Sequence, residues 1–179
     1  MSTWNSRGLR GSTLEEMINM TNENYRSKGL ALIQKIPTPI TPVKIDAATR
    51  HITLAYFEKQ STVDYIGTVQ GIPVCFDAKE CASATFPMMN IHQHQIEFMK
   101  DFEKQGGISF ILLYYSKLDE TYYVPFAEIK RFYERSLQGG RKSFTKDELK
   151  QDYQIYSAPG FLVHYLKGIQ KDLESRDEN

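Results

Sequence analysis

Twelve residues separate Asp64 from the triplet Asp77-Ala78-Lys79 within the stretch STVDYIGTVQGIPVCFDAKE, residues 61–80. The stretch reads as a β-hairpin, with apolar arms at Val63–Val69 and Ile72–Phe76 and a turn at Gln70-Gly71. Antiparallel pairing about that turn sets Asp64 opposite Asp77 and Thr62 opposite Lys79. Side chains alternate along a strand, so these four share one face, while Val63, Val74, Phe76 and Ala78 are expected on the other. Two carboxylates about 5 Å apart repel by roughly 3 kcal/mol at an effective dielectric of about 20. Protonation of one acid, the Lys79 ammonium or a divalent cation with oxygen ligands would each offset this, and only the cation accounts for Thr62 as well. The plainer alternative is an exposed hairpin carrying surface acids, and a three-residue loop would separate the acids onto opposite faces.

The flanking sequence supplies elements to hold such a hairpin. Leu14, Met17, Ile18, Thr21 and Tyr25 have helical spacing, with Ser12 or Thr13 as N-cap and Gly29 as the stop. Leu30–Ile36 suits a strand. Three prolines follow between residues 37 and 42, excluding a helix or a central strand and starting an extended excursion from the main body. His51–Phe57 reads as the returning strand.

Beyond the hairpin, Asn90 is expected to cap a helix ending at Gly106-Gly107, with Ile91, Gln95, Phe98 or Met99, and Phe102 turned inward. Gln95 is the polar member of that stripe; it either caps a backbone group or reaches the acids from below the sheet. Strands are expected at Ile108–Tyr115 and Thr121–Pro125, and an amphipathic helix at Phe126–Leu137 through Phe126, Ile129, Tyr133 and Leu137. Thr145 and Glu148 make a capping box, and a last helix is expected over Phe161–Leu173. The order implies a mixed α/β layer fold with a sheet between helices, in one domain spanning residues 1–179 with a flexible N-terminal arm over residues 1–11.

The chain has 179 residues, with 22 basic and 22 acidic side chains. Zero net charge argues against a histone-like polycation, so nucleic-acid contacts would come from local clusters. Arg7 and Arg10 lie in the arm, Lys35, Lys44 and Arg50 in and beside the proline-rich excursion, and Arg141 and Lys142 in a Gly-Gly loop, a distribution suited to flexible phosphate contacts. Cys75 and Cys81 are too few for a disulfide framework, and no membrane-spanning run is visible, so a cytoplasmic protein is expected. His92 and His94 would point about 200° apart on a helix and lack the further ligands a zinc site needs. Glu15 is either an outer acid of the site or a surface residue.

The motifs RGSTLE at 10–15, KIPTP at 35–39, AYFEKQSTVDY at 55–65, FDAKE at 76–80, FPMMNIHQHQIE at 86–97 and GGRKS at 139–143 resemble, in order, the RecU family of Holliday junction resolvases, from about Arg10 to about Leu166. Asp64 and Asp77-Ala78-Lys79 fit the wider PD-(D/E)xK nuclease pattern. The resemblance implies a restriction-endonuclease-like mixed sheet flanked by helices with a protruding stalk over about residues 37–50, and a homodimer acting on four-way junction DNA. It implies Mg²⁺, with Mn²⁺ as a substitute, held by Thr62, Asp64, Asp77 and Gln95, with Lys79 as the catalytic lysine. Arg10, Lys35, Lys44, Arg141 and Lys142 would contact DNA, and a RecA-type recombinase and branch-migration proteins would be partners in a bacterial or phage-infected cytoplasm. The family usually has Glu where this chain has Asp77. Weakened cleavage would leave a junction-binding or recombinase-modulating protein, and a nuclease of ordinary duplex is a third reading.

Overall fold

In a computed structural model of the chain, residues 13–57 and 62–177 are described. A six-stranded sheet forms the centre, in the order β1 (Ala31–Lys35), β4 (Tyr65–Val69), β5 (Ile72–Cys81), β7 (Ile108–Tyr115), β8 (Glu120–Pro125) and β10 (Gln154–Ile155). Neighbours are antiparallel except β5 and β7, which run parallel. Two-residue turns can join the antiparallel neighbours, whereas the parallel step needs a crossover. That crossover carries β6 (Thr85–Pro87), which pairs with β9 (Ser143–Thr145), a 3₁₀ turn at Met88–Asn90 and helix α2 (Gln93–Lys104).

Alternation along the strands divides the core in two. Val74, Phe76, Phe110 and Leu112 pack with Leu14, Ile18 and Tyr25 of α1 (Thr13–Ser27) and Ile169 of α4 (Leu166–Asp177). On the other face, Cys75, Ile111 and Leu113 pack with Ile96 and Met99 of α2 and with Phe126, Ile129 and Phe132 of α3 (Phe126–Leu137). The sheet therefore lies between helices, as the element order implies. Among the described residues no helix is long and apolar enough to cross a membrane.

The proline-containing excursion forms a two-stranded ribbon, β2 (Ile40–Ile45) with β3 (Ile52–Phe57). Pro42 is accommodated because, among the described residues, the ribbon has no third strand to demand its missing N–H. At the tip, Asp46 accepts the Ala48 amide at 2.9 Å and the Thr49 hydroxyl at 2.7 Å. Apart from half-buried Thr41, the side chains of both strands are exposed.

Four local expectations are corrected. The helix expected from Asn90 starts at Gln93 because Ile91 and His92 are extended, leaving His92 as N-cap. Phe161–Tyr165 is not helical: Phe161, Val163 and Tyr165 alternate into the core, Val163 donating its amide to Thr21 Oγ1, and the last helix starts at Leu166. In α3 Phe132 is fully buried alongside Phe126 and Ile129, Tyr133 only partly covers the same core, and Leu137 is exposed. Val63 packs on the α2 side of the sheet, since regular alternation begins only at Tyr65. The N-terminal arm with Arg10, and the expected N-cap Ser12, lie outside the described residues.

Candidate active site

The hairpin keeps the register that brings the acids together. Gln70 and Gly71 have φ of 49° and 88°, so both central positions of the two-residue loop are left-handed, as a type I′ turn requires. Glycine adopts this freely; for Gln70 the cost is offset by its Nε2, which donates to the carbonyls of Gly29 and Leu30, each at 3.1 Å. From this turn the ladder runs Val69↔Ile72 to Tyr65↔Phe76, and Asp64 and Asp77 are the next residues outward.

Each acid is fastened to the opposite strand. The Asp64 amide donates to Asp77 Oδ1 at 2.9 Å, and the Ala78 amide donates to Asp64 Oδ2 at 3.0 Å. Lys79 Nζ lies 3.2 Å from Asp77 Oδ2. The Asp77 side chain is fully buried, and Oδ2 has this ionic contact but no hydrogen bond of good geometry. Burial pushes the Asp77 carboxyl up to about 6; the Lys79 ammonium opposes the rise and the Asp64 charge adds to it.

A hard cation fits this donor set. Among the described residues no group of three or more His, Cys, Asp or Glu side chains could hold a metal. The two carboxylates would need neutral oxygens, water and phosphate to complete the shell, which is how Mg²⁺ is commonly held and unlike a closed zinc site. Asp77 Oδ2, buried beside Lys79 and without a hydrogen bond of good geometry, keeps lone-pair capacity for such an ion. Thr62 is exposed, beyond the end of the β4–β5 ladder. Gln95 is buried near the start of α2, and its Oε1 accepts the His92 amide at 3.0 Å. The capping role weighed for Gln95 is thus occupied, and its carbonyl keeps a second lone pair. His92 and His94 do not diverge as helix spacing implies: His92 is outside the helix and the rings stack at 5.4 Å.

The cations expected to meet DNA are differently placed. Lys35 pairs with Glu15 at 2.9 Å, the surface role weighed for that acid. Lys44 is exposed in β2. Arg141 pairs with Glu148, whose other oxygen takes Arg135 at 2.6 Å. Glu148 sits at about 2: burial opposes the fall, and Arg135, the Thr145 amide and Arg141 outweigh it. Lys142 is exposed in the same loop, and its carbonyl accepts the Met88 amide at 3.0 Å.

Two contacts around the site escaped sequence reasoning. Glu80 Oε1 accepts the Leu14 amide at 2.6 Å, joining β5 to the first turn of α1. The Ile36 amide donates to the Asp64 carbonyl at 2.8 Å. Alternation places Glu80 opposite Lys79 in direction and toward α1, whose free amides favour a carboxylate; that was the available signal. Nothing local marks Ile36.

The family model of Recombination protein U, RecU, matches residues 9–171. The Holliday junction resolvase RecU of Pediococcus pentosaceus is 42% identical over 173 residues, 94% of this chain and 86% of that protein. The Holliday junction resolvase RecU of Bacillus pumilus is 45% identical over 167 residues, covering 90% and 80%. Among solved structures, the Archaeoglobus fulgidus Holliday junction resolvase Hjc overlaps 63% of this chain and 74% of its own, at TM-score 0.35 and 8% identity.

Proposed function

Because this chain belongs to the RecU family, we propose that it is a Holliday junction resolvase, a Mg²⁺-dependent endonuclease that nicks paired strands of four-way DNA junctions. The observation that carries the reading is the cross-strand fastening of Asp64 and Asp77, with an unsatisfied Asp77 oxygen beside Lys79. Asp64 and Asp77, with Thr62 and Gln95, would hold Mg²⁺, or Mn²⁺ in its place. When bound, such an ion lowers the pKa of a water nucleophile and offsets charge gathering on the phosphate oxygens.

The protein's own groups do the rest. Ala78 N–H and Asp64 N–H fix the two carboxylates, so no reorganisation is needed when phosphate arrives. Lys79 is largely buried at its side chain and held by Asp77, so its remaining N–H donors are fixed in direction. They orient the attacking water or donate to the oxygen that gains charge. Two such sites related by a dyad in a homodimer would match the near-symmetry of a four-way junction. Exposed Lys44 and Lys142, together with Lys35, Arg141 and Arg10, would contact the phosphates, making affinity strongly salt-dependent. A cytoplasmic setting, with a RecA-type recombinase and branch-migration proteins as partners, completes the proposal.

Incubation with synthetic four-way junctions and Mg²⁺ tests it. Paired nicks by the wild type and none by Asp64→Ala are expected; wild-type cleavage by Asp64→Ala would overturn the assignment. A second reading, a junction-binding protein modulating a recombinase, is favoured by the short side chain of Asp77 and its full burial. It would give a gel shift without cleavage in either Mg²⁺ or Mn²⁺.

A further inference from the structure

The ribbon β2–β3 and the acid pair meet at one residue. The chain leaves the sheet for the ribbon at Ile36, directly after β1, and Asp64 directly precedes β4 on its return. The Ile36 amide donates to the Asp64 carbonyl at 2.8 Å, so one hydrogen bond closes the root of the ribbon on the backbone of a candidate metal ligand. From Asp64 the connection continues through its amide to Asp77 and its carboxylate to the Ala78 amide. Two residues along β5, Glu80 takes the Leu14 amide; the next residue, Glu15, pairs with Lys35, the neighbour of Ile36. These contacts form a closed ring through the ribbon root, both acid-bearing strands and the first turn of α1.

The ribbon itself is exposed along both strands. Its two strands expose Ile45, Leu54, Tyr56 and Phe57, and Lys44 and Arg50 are exposed with them. Aromatic and cationic side chains together suit unstacked bases and phosphates, the chemistry found where DNA strands branch.

Resting on the resolvase reading, we infer that Ile36 is a positioning residue: its N–H links engagement of the ribbon by a junction to the placement of Asp64 for metal. The ribbon then sets specificity as well as affinity, since DNA that leaves it unengaged also leaves Asp64 less well held. By linkage, junction and divalent ion must tighten one another equally when both bind at equilibrium.

The test measures junction and linear-duplex affinities of the full chain by gel shift, in EDTA and in Ca²⁺, an ion with the same oxygen-ligand preference. Ile36→Pro removes the N–H, and Ile36→Ala keeps it while trimming the side chain. In the wild type, Ca²⁺ is expected to tighten junction binding at least fivefold more than duplex binding. Ile36→Ala should keep that excess and Ile36→Pro lose it, with junction affinity in EDTA unchanged within twofold. Should Ile36→Pro fail to fold, as judged by thermal melting, Glu80→Ala breaks the ring elsewhere and should also lose the excess. An excess that persists in the folded ring-breaking variant, or that is missing from a wild type that cleaves junctions, overturns the inference. A wild type that neither binds nor cleaves junctions would overturn the resolvase reading instead.

Discussion

Asp77 accepts the backbone amide of Asp64 through one carboxylate oxygen and meets Lys79 through the other, while its side chain is wholly shielded from solvent. The apposition that the hairpin imposes is therefore relieved in part by a backbone donor and an ammonium, and in part by a carboxyl that holds its proton up to about pH 6.

That balance makes Asp77 a cost to the metal-free fold at neutral pH. Its folded pKa of about 6 exceeds the ordinary 3.8, so its contribution is most favourable below pH 3.8 and is lost as pH rises through about 6. Asp77→Asn is expected to flatten this dependence and stabilise the metal-free protein at pH 7 by about 1–3 kcal/mol. Thermal melts between pH 4 and 8 in EDTA measure it; a variant no more stable than wild type at pH 7 contradicts it. Mg²⁺ should raise the melting temperature of the wild type and leave that of Asp77→Asn unchanged.

Lys79 acts on the reacting phosphate under the proposed mechanism. Lys79→Met should lower the single-turnover junction cleavage rate about 10²–10³-fold, the usual loss for one preorganised donor. Junction affinity should stay within about twofold. A loss of affinity that accounts for the whole effect would assign Lys79 to binding alone.

Gly67 pairs with Ile33 where β4 lies beside the edge strand β1. A Cβ there would overlap the Leu32 carbonyl oxygen and stand 2.7 Å from Ile33 Cα, both backbone atoms. Gly67→Ala is expected to cost at least about 3 kcal/mol, because the edge strand must move and cannot simply change rotamer. Urea midpoints would measure this, and a shift below about 1 kcal/mol would contradict the packing.

Arg176 near the end of α4 bonds Asp172 at 3.0 Å and Glu103 at 2.7 Å; Glu103 in turn takes the Ser109 amide at 2.7 Å, and Asp172 takes the Tyr123 hydroxyl at 2.8 Å. Asp172 is almost fully buried, so Arg176→Ala strands its charge and should cost about 2–4 kcal/mol. Denaturant unfolding of Arg176→Ala, Asp172→Asn and the double variant should give a clear coupling energy; strict additivity would rule the bridge out.

Periodicity made the hairpin, β7 and α3 legible, because each is bounded by strong turn signals and patterned for two core faces. The same two-residue period places Asp64, Asp77 and Lys79 together, as their contacts bear out. It misread Phe161, Val163 and Tyr165, whose two-residue alternation was taken inside a helical frame, because the contacts that extend that segment come from Thr21 and Tyr25, far away in the chain. His92 was misplaced for a local reason: one extended residue before a helix reverses the direction of a ring. The Glu80 carboxylate reaches a backbone amide far away in the chain, signalled only by the strand alternation that turns it toward α1, and the Ile36–Asp64 bond is backbone to backbone, which no pattern of side-chain types encodes.

The Gln70 side-chain amide grips the carbonyls of Gly29 and Leu30 just beyond the end of α1, 41 and 40 residues earlier in the chain. A bend that would otherwise tolerate an inserted residue is thereby tethered to a second element. Since a shift of one residue would turn the two acids away from each other, the far end of the hairpin acts as a length gauge for the chemistry at its open end.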